Sequence, residues 1–251
     1  MKKNSFVLSC VVAIVAMLVL SACGGATPTA TEEPATSAPT EVVTEQPTEA
    51  AGGELSGEIT MDPALAANEG SQRLAGMLYE GLVKEEGADV KPALARSWIV
   101  SEDKLTYTFE LWSNAVFSDG TPVTADVVVA NFNRWFDPAS ADRGSGDYKA
   151  FADAFGGFKG ETTADGKPKS ELDGVDNSDN LTVIVHLNRP DPDLLTKLAG
   201  APFSIVLIQG ETFVGSGPYV IGEKTETSLK LEPNASYWAG TPGESIEFTL
   251  K

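Results

Sequence analysis

From Leu105 to Leu111 the chain alternates: Leu105, Tyr107, Phe109 and Leu111 are apolar, and Thr106, Thr108 and Glu110 between them are polar. A period of two predicts a strand with one buried face. Ser118-Asp119-Gly120-Thr121-Pro122 follows with turn chemistry. Thr124 stands at a helix N-cap position, and Asp126 in the first turn suits the helix dipole. Val128, Phe132, Trp135 and Phe136 then recur at three- and four-residue spacings, which predicts a helix with one buried stripe that stops at Asp137-Pro138. Ile59 to Gly81 reads as strand, Asp-Pro turn and helix, with Ser71 as N-cap and Leu74, Leu78 and Leu82 on the inner face. Leu181–Leu187 alternates again, and His186, the only histidine, lies in it. Leu194–Leu198 predicts a short helix, and Ile205–Ile208 a buried strand. Tyr219-Val220-Ile221 and Ser228–Leu231 suit a hairpin, and Ser245–Leu250 a final strand. Asp137 to Asn180, rich in Gly, Asp and Lys, predicts a surface excursion. It has one short helix and an apolar patch at Tyr148, Phe151, Phe155 and Phe158.

The N-terminal stretch has a different pattern. Lys2 and Lys3 precede an apolar run, Phe6–Leu20. A comfortable membrane span takes roughly 20 residues, so this run is short for one. With Leu20-Ser21-Ala22-Cys23 behind it, residues 1–22 resemble a bacterial lipoprotein signal, with Cys23 lipidated after cleavage. The plainer reading is an ordinary signal peptide with an incidental cysteine. Lipid adds about 0.8 kcal/mol per buried methylene, and two or more chains make a lasting anchor. Residues 23–54, Thr-, Pro- and Glu-rich, predict a disordered tether. A coil of that length spans roughly 30 Å.

Composition narrows the function classes. The formal net charge of −18 argues against nucleic acid, whose phosphates call for Lys and Arg. Both cysteines, Cys10 and Cys23, precede the folded part, which therefore has no thiol for a disulfide, a nucleophile or a zinc site.

Several strings, taken together and in order, resemble the family 5 solute-binding proteins of ABC importers, the peptide- and nickel-binding group. They are Met61-Asp62-Pro63, Leu78-Tyr79-Glu80-Gly81-Leu82, Pro92 to Trp98, Thr106 to Leu111, Phe117 to Val127, Gly215-Ser216-Gly217-Pro218-Tyr219 and Asn234 to Trp238. The chain departs from the family's wording at Trp112, where Arg or Lys is usual, and at Ser113-Asn114, which replace a turn with Gly. It is also shorter than the family between Leu198 and Gly215. The resemblance implies an α/β fold: a type II periplasmic-binding-protein-like first lobe, with a mixed sheet and helices, plus a β-rich sub-lobe. The expected divisions are a first-lobe segment at 55–90, the sub-lobe at 91–199 and a second first-lobe segment at 200–251. Family members run to roughly twice this length, so a second lobe is expected to be missing.

The loop Asp62–Gly70 is a candidate ligand contact, because loops at the carboxyl ends of strands border ligands in open α/β folds. A solvated turn is the competing reading. By resemblance, the positions nearest a ligand are Ala67, Asn68 and Glu69, with an aromatic contact from Tyr148. Asp173, Asp176 and Asp179 lack the spacing of a calcium loop and read as a solvated turn. Tyr237 and Trp238 read as core aromatics.

Ser101-x-x-Lys104 and Ser178-Asp179-Asn180 echo two motifs of serine β-lactamases. That chemistry needs its Ser at a helix start with Lys one turn on, and Ser101 is expected in a turn. No other catalytic set, metal cluster or cofactor motif can be assembled. The resemblance therefore implies no enzyme. It implies a lipid-anchored, extracytoplasmic binding protein that captures a small solute without covalent chemistry, most often a short peptide, and hands it to permease subunits. Nickel chelates and oligosaccharides are the other cargoes. The alternatives are a non-transporting lipoprotein interaction module and, remotely, a β-lactamase-like hydrolase.

Overall fold

The computed structural model describes residues 50–240 and 242–251. The expected signal segment, the lipidation site Cys23 and most of the expected tether lie outside the described residues. The chain begins with β1 (Ala50–Leu55), a 3-10 turn at Pro63–Leu65 and α1 (Glu69–Leu78). Then come β2 (Val83–Glu86), β3 (Asp89–Pro92), β4 (Ala95–Val100), β5 (Thr106–Leu111), α2 (Ala125–Phe136) and α3 (Lys149–Phe155). The remainder is β6 (Leu172–Asp179), β7 (Thr182–Leu187), α4 (Leu194–Leu198), β8 (Leu207–Gln209), β9 (Thr212–Val214), β10 (Tyr219–Lys224), β11 (Ser228–Pro233) and β12 (Ile246–Leu250).

Two four-stranded sheets organise these elements. One has the order β1-β12-β11-β10 and is mixed: β1 runs parallel to β12, and the other pairs are antiparallel. The other, β4-β5-β7-β6, is antiparallel throughout and forms the β-rich part. The hairpins β2-β3 and β8-β9 stand apart from both.

The alternating positions of β5 and β7 turn inward as their period requires: Tyr107, Phe109, Leu111, Val183, Val185 and Leu187 are buried. The stripe of α2 packs on the same core through Val128, Phe132, Trp135 and Phe136. A second core forms where α1 meets the mixed sheet, around Leu55, Leu74, Leu78, Leu229, Leu231 and Phe248.

Five local expectations are corrected. The first strand is β1, not a strand at Ile59, and it reaches back into the expected tether. Its sequence, AAGGEL, carries no apolar alternation; pairing along β12 makes the strand. The N-cap of α1 is Asn68, whose Oδ1 accepts from the Ser71 backbone N–H at 2.8 Å, and Ser71 is buried inside the first turn. Asp173, Asp176 and Asp179 belong to β6, an edge strand whose charged outer positions suit an exposed edge. Phe151 and Phe155 are core residues rather than a surface patch. Their rings lie 4.7 Å apart, and Phe203 meets Phe155 edge-on at 5.6 Å. At Ile205–Ile208, Ile205 and Val206 are buried as expected, but the ladder starts only at Leu207, as a hairpin.

Candidate functional site

An open pocket of about 670 Å³ lies where three loops converge. One wall is the loop Thr60–Asp62 with Leu65. The second is the segment between α2 and α3, residues 141–146, with Tyr148. The third is the β8-β9 hairpin with Ile208 and Phe213.

The floor at Asp62 rests on an ion pair behind it. Arg134, fully buried on α2, donates from Nη1 to Asp62 Oδ2 at 2.8 Å and from Nη2 to Asp62 Oδ1 at 2.9 Å. Such a two-pronged fit is what a planar guanidinium makes with a carboxylate. Asp62 also caps the 3-10 turn, with Oδ1 accepting from the Ala64 N–H at 3.0 Å, and Pro63 takes the first position, where no N–H is needed. The Arg134 guanidinium carbon lies 5.4 Å from the Phe213 ring centroid and 5.8 Å from that of Tyr148. The sub-lobe helix, the first loop and the hairpin are thus joined at one cation.

Tyr148 is buried and has positive φ, 49°, a conformation that costs a non-glycine residue about 1–3 kcal/mol. Its phenol holds it there. The oxygen accepts from Arg134 Nη1 at 3.2 Å and donates to the Arg143 carbonyl at 2.7 Å. Burial raises the Tyr148 pKa, so the group stays a neutral donor. Arg143 in turn donates from Nη1 to the Trp135 and Arg134 carbonyls at 2.7 and 3.1 Å, at the negative end of α2. Its guanidinium covers the rings of Tyr148 and Phe158, each at 4.3 Å. Gly146 lets this loop close on the first wall, since a Cβ there would meet Leu65 Cδ2 at 2.7 Å. Tyr79 completes the rim, donating to the Met61 carbonyl at 2.7 Å. Burial, then the charge of Asp62, raises its pKa.

Chemically the floor is neutral, because Asp62 and Arg134 cancel. The charges at the rim are Asp142, Arg143 and Glu211. Among the described residues no cluster of His, Cys, Asp and Glu could hold a metal ion. His186 lies on β7, with Nε2 3.5 Å from Asp176 Oδ2 and away from the pocket lining. Ser101 sits in a turn, where its hydroxyl donates to Asp103 at 2.6 Å and accepts from the Thr106 N–H. Ser101-x-x-Lys104 therefore lacks the helix that the β-lactamase nucleophile needs, and Ser178 lies in β6.

Of the expected contacts, Tyr148 lines the pocket, and Ala67, Asn68 and Glu69 do not. Asn68 is engaged at both ends of its amide, capping α1 and donating to the Glu58 carbonyl at 2.7 Å. Sequence reasoning missed Asp62 and Arg134 as a pair. The Asp-Pro dipeptide was visible, but nothing along the chain ties it to an arginine 72 residues later. The hairpin wall was missed as well.

The family model for bacterial extracellular solute-binding proteins, family 5, matches residues 89–249. The dipeptide-binding protein DppE of Bacillus subtilis is 29% identical over 195 residues, covering 71% of this chain and 34% of its own. The periplasmic oligopeptide-binding protein OppA of Haemophilus influenzae is 30% identical over 196 residues, covering 71% of this chain and 35% of its own. The chain spans about a third of the length of these curated relatives. Among solved structures, the periplasmic binding protein DppA of Helicobacter pylori in complex with the peptide STSA aligns with a TM-score of 0.65 at 23% identity. That alignment covers 79% of this chain and 41% of that one.

Proposed function

This chain belongs to the family 5 bacterial extracellular solute-binding proteins, and from that premise we propose that its pocket captures a small solute, most often a short peptide, for delivery to an ABC permease. The observation that carries the reading is the pocket: a preformed, open concavity with aromatic walls, a charge-neutral floor and no catalytic set among the described residues. Such a surface suits noncovalent grip. Recognition falls to Tyr148, to the edge of the Thr60–Asp62 loop and to the hairpin. Ala67, Asn68 and Glu69 support it by starting α1. Because Asp62 and Arg134 neutralise each other, the floor sets shape rather than charge preference. We further propose that Cys23 carries the lipid anchor; loss of fatty-acid labelling in Cys23→Ser tests it, and unchanged labelling contradicts it.

These walls cover one side of a ligand, so little surface leaves water. Calorimetry with a tripeptide should give a dissociation constant of about 0.1 mM or weaker, roughly −5.5 kcal/mol. A constant of about 1 μM or tighter contradicts one-sided contact, and no binding at all contradicts the peptide reading.

A further inference from the structure

Tyr79 and Glu80 are neighbours on extended backbone, so their side chains leave on opposite faces. Tyr79 faces the solute pocket. Glu80 opens into a second one, of about 360 Å³, walled by Trp112, Tyr237 and Trp238 with Lys84 and Asn114 at its edge.

The Glu80 carboxylate is largely withdrawn from water and is held by neutral donors alone. Oε2 accepts from Trp238 Nε1 at 2.7 Å and from Ser216 Oγ at 3.0 Å, and Oε1 accepts from Tyr237 Oη at 3.2 Å. Among the described residues Glu80 has no ion pair; Lys84 acts on it only at longer range. Carboxylates taken out of water are ordinarily paired with a cation. Burial raises the Glu80 pKa, and burial with the nearby carboxylate pushes the Tyr237 phenol up to about 12.

An aromatic corner shares the pocket with the carboxylate. The Trp112 and Trp238 rings lie 6.3 Å apart at 43°, and Trp112 remains 40% exposed. Trp112 and Asn114 are also positions where the chain departs from the family's wording. The carboxylate lies at the N–H edge of Trp238 and shares the pocket with the half-exposed Trp112; a negative charge without a counter-ion beside an open indole is the chemistry that attracts an organic cation, through charge and ring quadrupole together. A neutral sugar would leave the carboxylate uncompensated, and an anion would be repelled.

We propose that this second pocket binds an ammonium group, primary or quaternary, carried on a small organic molecule. The site is separate from the solute pocket and stands or falls independently of peptide capture. Lys84, exposed on β2, is the competing cation at the mouth, and it sets the direction of the decisive variant.

The test is titration of the full chain with tetramethylammonium chloride, read by tryptophan fluorescence and calorimetry against sodium chloride at matched ionic strength. Saturable binding is expected with the ammonium salt alone. Trp112→Ala should weaken it about tenfold, within the range of a cation–π contact. Lys84→Gln should tighten it, whereas it would weaken the binding of an anion. Affinity should fall as pH drops through the raised pKa of Glu80; Lys84 and Tyr237 are the other ionisable groups facing it. No saturation, an unchanged response in Trp112→Ala, weaker binding in Lys84→Gln, or tighter binding of glucose than of the ammonium ion would each overturn the proposal.

Discussion

At the scale of single residues, the larger pocket depends on Arg134. Its guanidinium is fully buried, and Asp62 takes both prongs. Replacing one member of such a pair leaves the other charged and stranded, a loss of about 3–5 kcal/mol. Arg134→Met should therefore lower stability in urea denaturation by about that amount. The double variant Asp62→Asn/Arg134→Met should recover much of the loss. A single variant as stable as the parent would remove the pair from the account. The Asp62 half of this arrangement was legible in Met61-Asp62-Pro63, because Asp before Pro is turn-starting chemistry. The Arg134 half was not, since a polar residue within an apolar stripe reads as the solvent side until its partner is known. Glu80 is a similar case. The strings around Tyr79-Glu80, Ser216 and Tyr237-Trp238 were each readable, but their meeting at one carboxylate belongs to three-dimensional structure.

Among elements, α2 and its preceding strand were legible nearly to the residue, since local periodicity and turn chemistry agreed there. The helix is Ala125–Phe136, with Thr124 at its N-cap position. Thr124 makes no side-chain capping bond, so position rather than hydrogen bonding marks the start. β1 and β6 were not legible, because edge and glycine-rich strands owe their form to a partner rather than to their own pattern. The glycines of Gly215-Ser216-Gly217 gain a reason only in space. A Cβ at Gly215 would stand 1.9 Å from the Leu78 carbonyl oxygen, so the strand entry can pass α1 only without a side chain. The joint between α2 and the segment before β8 is Asn131. It donates to the Val206 carbonyl at 2.7 Å and accepts from the Val206 N–H at 3.2 Å, copying a strand partner with a helix side chain. Asn131→Ala leaves both Val206 groups buried and unmatched, and should cost about 2–4 kcal/mol in the same denaturation assay. A change below about 0.5 kcal/mol would show that water replaces the amide.

For the whole molecule, the two sheets give a mixed α/β architecture that matches part of a type II periplasmic-binding-protein fold, and the walls of the pocket come from both sides of it. α2 and the loop that follows it belong to the β-rich part. The Thr60–Asp62 loop and Ile221 of β10 belong with the mixed sheet. Class, strand content and family were readable because many short strings occurred in one order. The pocket's third wall was not, since a hairpin stands where the sequence is shorter than the family pattern and offers nothing to align. The proposed role of these three walls is to grip a solute. Its most direct test is the amide chemical-shift footprint of the labelled chain during titration with a tripeptide. Saturable shifts are expected at Thr60–Asp62, Gly144–Tyr148 and Gly210–Phe213, with the strands β4 to β7 still. Shifts confined to other surfaces, or none at saturating peptide, would contradict it.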